Sequence, residues 1–160
     1  MRLLELFKNT RKEFDSDKVI SFHECGHGLV MTACGAPPEY TSLIGYQGTA
    51  AFSAGSFYQW DVFFDWKEGW RFLLMQFFGG IVAEAWYCGK YFWERAGADF
   101  KNAAEIKQKY SISYRHYLAT WFDTHDLIQQ HSDLLTKAAE RLYKDKVLGA
   151  EFWEEEILLK

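Results

Sequence analysis

Cysteine is scarce in this 160-residue chain, and the three present, Cys25, Cys34 and Cys88, are odd in number and irregularly spaced. No C-x-x-C pair occurs, which argues against a zinc knuckle or a dithiol redox motif; the thiols read as reduced ones in a cytoplasmic protein. Basic charge is not in excess either, with 18 Lys and Arg against 22 Asp and Glu, a formal charge of -4 and a pI near 5.7. That gives no electrostatic reason to expect a nucleic-acid partner. No secretory leader is expected, because residues 1–14 mix acid and base early and lack both a long apolar core and a small-residue cleavage site. An uninterrupted membrane span is missing too. Phe72 to Cys88 approaches the length of one, but Gln76, Gly79-Gly80 and Glu84 interrupt it and ordinary charge density flanks it, which predicts a buried helix instead. Proline is limited to two residues, adjacent at Pro37-Pro38.

What is abundant is aromatic. Seven Trp, nine Tyr and fourteen Phe, 19% of the chain, exceed what one core of this size comfortably holds, so some are expected to line a groove or interface, with Phe57 to Trp70 the foremost stretch. The length predicts a single domain over residues 1–160 that buries roughly two-thirds of its unfolded surface. Within it, residues 1–15 form an N-terminal segment in which Leu3, Leu4, Leu6 and Phe7 have the spacing of a short amphipathic helix.

The most informative stretch is His23-Glu24-Cys25-Gly26-His27, an H-E-x-x-H pattern. If Asp17 to Cys34 is helical, the spacing puts His23 and His27 one turn apart on one face, where both imidazoles can reach one metal ion. Glu24 projects beside the pair. Zinc held by two imidazoles and a third ligand leaves room for water, and a neighbouring carboxylate can take the water's proton during attack on a peptide carbonyl. Cys25, two positions from His23, is expected on the far side of the helix, in packing and away from the metal.

Asp15, Ser16 and Asp17 are N-cap candidates for this helix, and Val19, Ile20, Phe22, Leu29, Val30 and Met31 give it a broad apolar surface. Gly35 and then Pro37-Pro38 end it. Residues 39–58 change to β-branched, aromatic and glycine residues, which predicts a short hairpin or small sheet with its turn near Tyr46-Gln47-Gly48. Asp65 is an N-cap candidate for the apolar helix that runs from Arg71 to Cys88. Its Gly79-Gly80 pair is costly unless another backbone packs there, and the helix carrying the histidines is the obvious neighbour. Gly89 to Ala98 reads as a loop, and Asp99 opens a helix as its N-cap or first-turn carboxylate. A further helix from Ser113 or Tyr114 is expected to break or bend near Asp123-Thr124-His125-Asp126. A long one from Leu127 to Val147, stopped by Gly149, and a short acidic one from Glu151 to Leu159 follow. His116, His125 and His131 lack ligand spacing and read as surface or capping residues.

Two protein ligands would hold zinc weakly, so a third is expected downstream. Glu84, acidic in an apolar run, and Asp99 both qualify, and a solvent-facing or salt-bridged Glu84 is equally compatible with the residues alone. The segment Val19-Ile20-Ser21-Phe22-His23-Glu24-Cys25-Gly26-His27-Gly28-Leu29-Val30 resembles the H-E-A-G-H-A-L-V stretch of the FtsH-type peptidases, zinc protease domains normally fused behind an AAA+ ATPase. Gly79-Gly80-Ile81-Val82-Ala83-Glu84 is similar to that family's G-G-R-x-A-E segment. Gly97-Ala98-Asp99-Phe100-Lys101-Asn102-Ala103 is similar to its G-A-x-x-D-L-x-x-A-T segment, whose Asp is the third zinc ligand. Cys25 and Gly28 replace alanines, Ile81 an arginine, and two residues are missing before Asp99.

The resemblance implies a mainly α, zincin-like domain over 16–160, with a small β-hairpin or sheet after the metal-binding helix. It implies Zn2+ on His23, His27 and Asp99, Glu24 as general base, and Glu84 as a supporting carboxylate or alternative third ligand. The activity implied is zinc-dependent hydrolysis of peptide bonds in peptides or unfolded protein segments. No G-x-x-x-x-G-K-[ST] loop occurs, so an ATPase or membrane-protein partner would act in trans, and self-association is carried over as an expectation. The competing expectations are a non-catalytic adaptor or regulatory subunit that keeps the fold, with or without the metal, and a helical protein with a fortuitous motif. Absence of zinc and of affinity for it supports the last.

Overall fold

The computed structural model describes residues 14–43, 49–51, 69–94 and 96–158. The Leu3 to Phe7 segment, the Tyr46-Gln47-Gly48 turn, Asp65 and the aromatic stretch up to residue 68 lie outside the described residues. Among those described, the fold is mainly helical with a small antiparallel sheet: α1 Ser16–Ala33, β1 Tyr40–Ser42, β2 Thr49–Ala51, α2 Gly69–Cys88, α3 Gly97–Lys109, α4 Tyr114–Gln130, α5 Ser132–Asp145, β3 Val147–Gly149 and α6 Ala150–Leu158.

Helix α1 starts where a carboxylate can satisfy free backbone donors. The Asp15 side chain accepts from the backbone N–H groups of Asp17 and Lys18, and its other oxygen accepts from the Tyr143 hydroxyl at 2.6 Å. Gly35, with φ of 81°, takes the left-handed conformation just past the helix. Between these ends α1 is the central helix, with Val19, Phe22, Cys25, Leu29, Val30 and Met31 all buried. Cys25 is fully enclosed, on the packing side as its position predicts.

Helix α2 lies directly against α1, and glycine makes the crossing close. A Cβ on Gly26 would overlap the Gly79 carbonyl oxygen, and one on Gly79 would lie 2.8 Å from the Gly26 carbonyl oxygen. Neither atom can turn aside, because both belong to helical backbone. The Gly79-Gly80 pair thus has the close backbone neighbour that its sequence calls for. Beneath α1, Leu135, Ala138, Ala139 and Leu142 of α5 and Trp153 of α6 complete the core. Gly28 faces that indole: a Cβ there would sit 2.6 Å from Trp153 Cζ2.

The expected strand pair forms, with Thr41 opposite Ala50, and a third strand joins it from the far end of the chain. β3 pairs antiparallel with the other edge of β1, Thr41 opposite Leu148, so the order is β2-β1-β3. Buried Trp153 donates its indole N–H to Thr41 Oγ1 at 3.2 Å, tying the sheet to α6.

Two expected helix boundaries move. α4 runs unbroken through 123–126, and within it Thr120 and Thr124 are buried with their hydroxyls donating to the carbonyls of His116 and Thr120. The break falls at His131, where φ of -113° and ψ of 26° redirect the chain between fully buried Ile128 and Leu135. α5 then stops at Lys146, which adopts the left-handed conformation at φ 65°, and not at Gly149, which is in β3. No helix among the described residues is long and apolar enough to cross a membrane.

Candidate metal centre

Helical spacing places His23 and His27 on one side of α1, and α2 fixes what lies behind each ring. His27 Nδ1 is 2.7 Å from the Gln76 carbonyl oxygen. A carbonyl only accepts, so this nitrogen carries the proton and Nε2 offers its lone pair. His23 Nδ1 is 3.1 Å from Glu84 Oε2 and donates to it in the same way. Both rings are therefore held from behind with Nε2 turned inward, the arrangement in which an outer carboxylate or carbonyl orients a metal-binding imidazole.

The inward atoms converge. The two Nε2 atoms are 3.1 Å apart, and Asp99 Oδ2, from the first turn of α3, is 3.1 Å from His23 Nε2 and 3.7 Å from His27 Nε2. Ligands of a tetrahedral zinc at its usual bond lengths are separated by about 3.3 Å, so this donor set fits the ion. Backbone makes the room: a Cβ on Gly80 would overlap His27 Nε2 and stand 2.7 Å from His23 Nε2. His23, His27 and Asp99 form the one group of metal-ligand type found among the described residues.

Glu84 is thus brought to the site as the partner of His23 and not into the inward-facing cluster. It is buried, and its second oxygen, Oε1, has no hydrogen-bond partner among the described residues. Asp99 is on the third residue of α3, not its N-cap; that position belongs to Ala96, which makes no side-chain cap bond. Glu24 is buried beside the pair, close enough for its charge to act on His23.

The electrostatics follow from that crowding. Burial on its own would lower the pKa of His23, but the hydrogen bonds to Asp99 and Glu84 and the charges of Glu24 and Asp99 outweigh it and raise the value to about 10. Burial pushes the Asp99 carboxyl up, and the hydrogen bond from His23 with the charges of both imidazoles more than offsets this, leaving it below its ordinary value. Without a metal, a proton on His23 Nε2 joins the cluster. A metal ion would compete with the proton for that lone pair, so its binding below the His23 value would displace a proton and weaken as pH falls. Zinc affinity is expected to rise about tenfold per pH unit across the neutral range. Chelator competition at several pH values measures the slope, and a flat profile contradicts the assignment.

No protein-family model matches this chain, and a search of curated proteins finds no match. The functional reading therefore stands on the residues and their geometry.

Some of this surrounding is not legible in the sequence. The Gln76 contribution is a backbone carbonyl, which any residue type supplies. His125, expected at the surface or as a cap, is half-buried instead, with Nε2 2.6 Å from Tyr91 Oη and its ring against Trp121. Its position four residues after Trp121, on the same helix face, was the available signal.

Proposed function

We propose that this chain is a zincin-like, zinc-dependent endopeptidase that cleaves peptides or unfolded protein segments in the cytoplasm. The observation that carries the reading is the convergence of His23 Nε2, His27 Nε2 and Asp99 Oδ2, with each imidazole oriented from behind and Glu24 beside them. His23, His27 and Asp99 would hold the ion. Zinc in a three-ligand site polarises a carbonyl and makes water acidic enough to react near neutral pH. Glu24 takes the proton of the attacking water on a carboxylate oxygen and delivers it to the nitrogen of the leaving amine. Glu84 and the Gln76 carbonyl keep both rings in the tautomer that leaves Nε2 free. Burial of Glu24 keeps bulk water from competing for its carboxylate.

The cytoplasmic placement rests on the odd number and irregular spacing of Cys25, Cys34 and Cys88, a pattern that suits reduced thiols. Purified protein is expected to carry one zinc per chain and to cut an unstructured substrate such as casein. Activity should disappear with a chelator and return with zinc. Absence of zinc at micromolar concentration overturns the metal assignment. Stoichiometric zinc without cleavage of any unfolded substrate overturns the peptidase and leaves the adaptor reading.

A further inference from the structure

Asp99 rides on a lightly anchored helix. Ala103 is the buried residue of α3, and Ala96, preceding the helix, supplies no side-chain cap. The first turn therefore has to be held from outside, and the residue after Asp99 shows how. Phe100 stacks on Trp121 of α4, with centroids 6.0 Å apart and planes at 24°. Trp93, from the connection between α2 and α3, packs on Phe100 at 5.6 Å and on Trp121 at 6.4 Å. Tyr91 stacks on Trp93 at 4.6 Å and shares the 2.6 Å hydrogen bond with His125, one turn beyond Trp121.

The same indole also touches the other half of the site. Trp121 meets Phe78 edge-on at 5.0 Å, and Phe78 is the fully buried neighbour of the glycine pair under the imidazoles. α4 supplies no donor to the metal centre, yet its Trp121 braces both the glycine-bearing turn of α2 and the first turn of α3. Stacked and edge-to-face aromatic pairs stabilise beyond their buried area, and here they hold a turn whose helix has one fully buried residue.

We propose that Trp121, with Tyr91 hydrogen-bonded to His125, is a positioning device that holds Asp99 at the two imidazoles and so sets the affinity of the centre for its metal. The inference rests on the metal-centre reading above. It assigns a role in metal binding to residues outside the group of candidate ligands.

Trp121→Leu is expected to weaken zinc binding about 10- to 100-fold, the range found when groups supporting a ligand are removed. Trp121→Phe should recover most of the loss, and Tyr91→Phe, which removes only the hydrogen bond, should produce a smaller loss in the same direction. In cobalt-substituted protein, Trp121→Leu should shift the visible absorption in the sense given by Asp99→Asn. In metal-free protein it should speed amide exchange over residues 97–103 while exchange in α2 stays slow. Leu142→Ala, a core truncation in α5, should lower the melting temperature and leave zinc affinity alone. Wild-type affinity or unchanged exchange in Trp121→Leu, alongside a clear loss in Asp99→Asn, overturns this inference and leaves the metal centre standing. Equal weakening by Leu142→Ala overturns it as general loosening. A neutral Asp99→Asn overturns the metal-centre reading, and this inference with it.

Discussion

Replacing Glu24 with glutamine is expected to leave zinc in place and to slow peptide cleavage by about 100- to 10,000-fold, the usual contribution of a positioned general base. Glutamine has nearly the shape of glutamate, so the buried position beside His23 stays filled. What is lost is the ability to accept a proton from water and return it to the amine. Glu24 is also one of the charges that hold the proton on His23. That charge favours a cation at this position, proton and zinc alike, so the loss on the two sides largely offsets and zinc affinity should change little beside the loss of turnover. Turnover and metal content measured on the same sample distinguish the alternatives. Full activity in Glu24→Gln would end the mechanism, and loss of zinc would show that the carboxylate is a ligand rather than a base.

The parts of the fold that were legible in the sequence are those set by local chemistry. Asp15 capping, the apolar surface of α1 and the left-handed Gly35 are written within a few residues of where they act. The Gly79-Gly80 pair was legible for another reason: glycines inside an apolar helix make sense only if another backbone comes close, and Gly26 does. The pairing of β3 with β1 depends on a contact over about a hundred residues, which no window of sequence carries. The kink at His131 is similar. His131 is an ordinary helix residue by propensity, and Ile128 and Leu135, seven residues apart, would share one face of an unbroken helix, so their burial does not mark the break.

At the centre, the histidine pair follows from helical period, and Asp99 came from the resemblance, since an acidic residue in a first turn is ordinary by propensity. Glu84 was visible as an anomaly, a carboxylate in an apolar run, but its role was not. Position decides that role, because its carboxylate meets His23 at Nδ1, behind the ring, while Asp99 meets it at Nε2. One departure from the resembled segment also acquires a physical reason: Gly28, where that pattern has alanine, leaves the space that the Trp153 indole fills.

Gly80→Ala is expected to separate folding from metal binding. Alanine is the better helix former by about 1 kcal/mol, so α2 should form at least as readily. The added methyl, however, would overlap His27 Nε2 and lie 2.7 Å from His23 Nε2. Both rings are held at Nδ1, His27 by the Gln76 carbonyl and His23 by Glu84, so turning away from the methyl breaks those bonds and points Nε2 away from Asp99. Zinc affinity should fall by roughly 1,000-fold or more, about 4 kcal/mol, with helical circular dichroism retained. The neighbouring glycine gives the opposite result. A methyl on Gly79 would meet the Gly26 carbonyl oxygen and Val30 Cγ2, each at 2.8 Å, and helical backbone cannot swing aside as a ring can. Gly79→Ala should therefore cost about 1–3 kcal/mol of stability by forcing α1 and α2 apart. Chemical denaturation and chelator competition on the two variants test the pair together. Wild-type zinc affinity in Gly80→Ala would mean that the imidazoles do not sit over that glycine and that the proposed centre is misassembled.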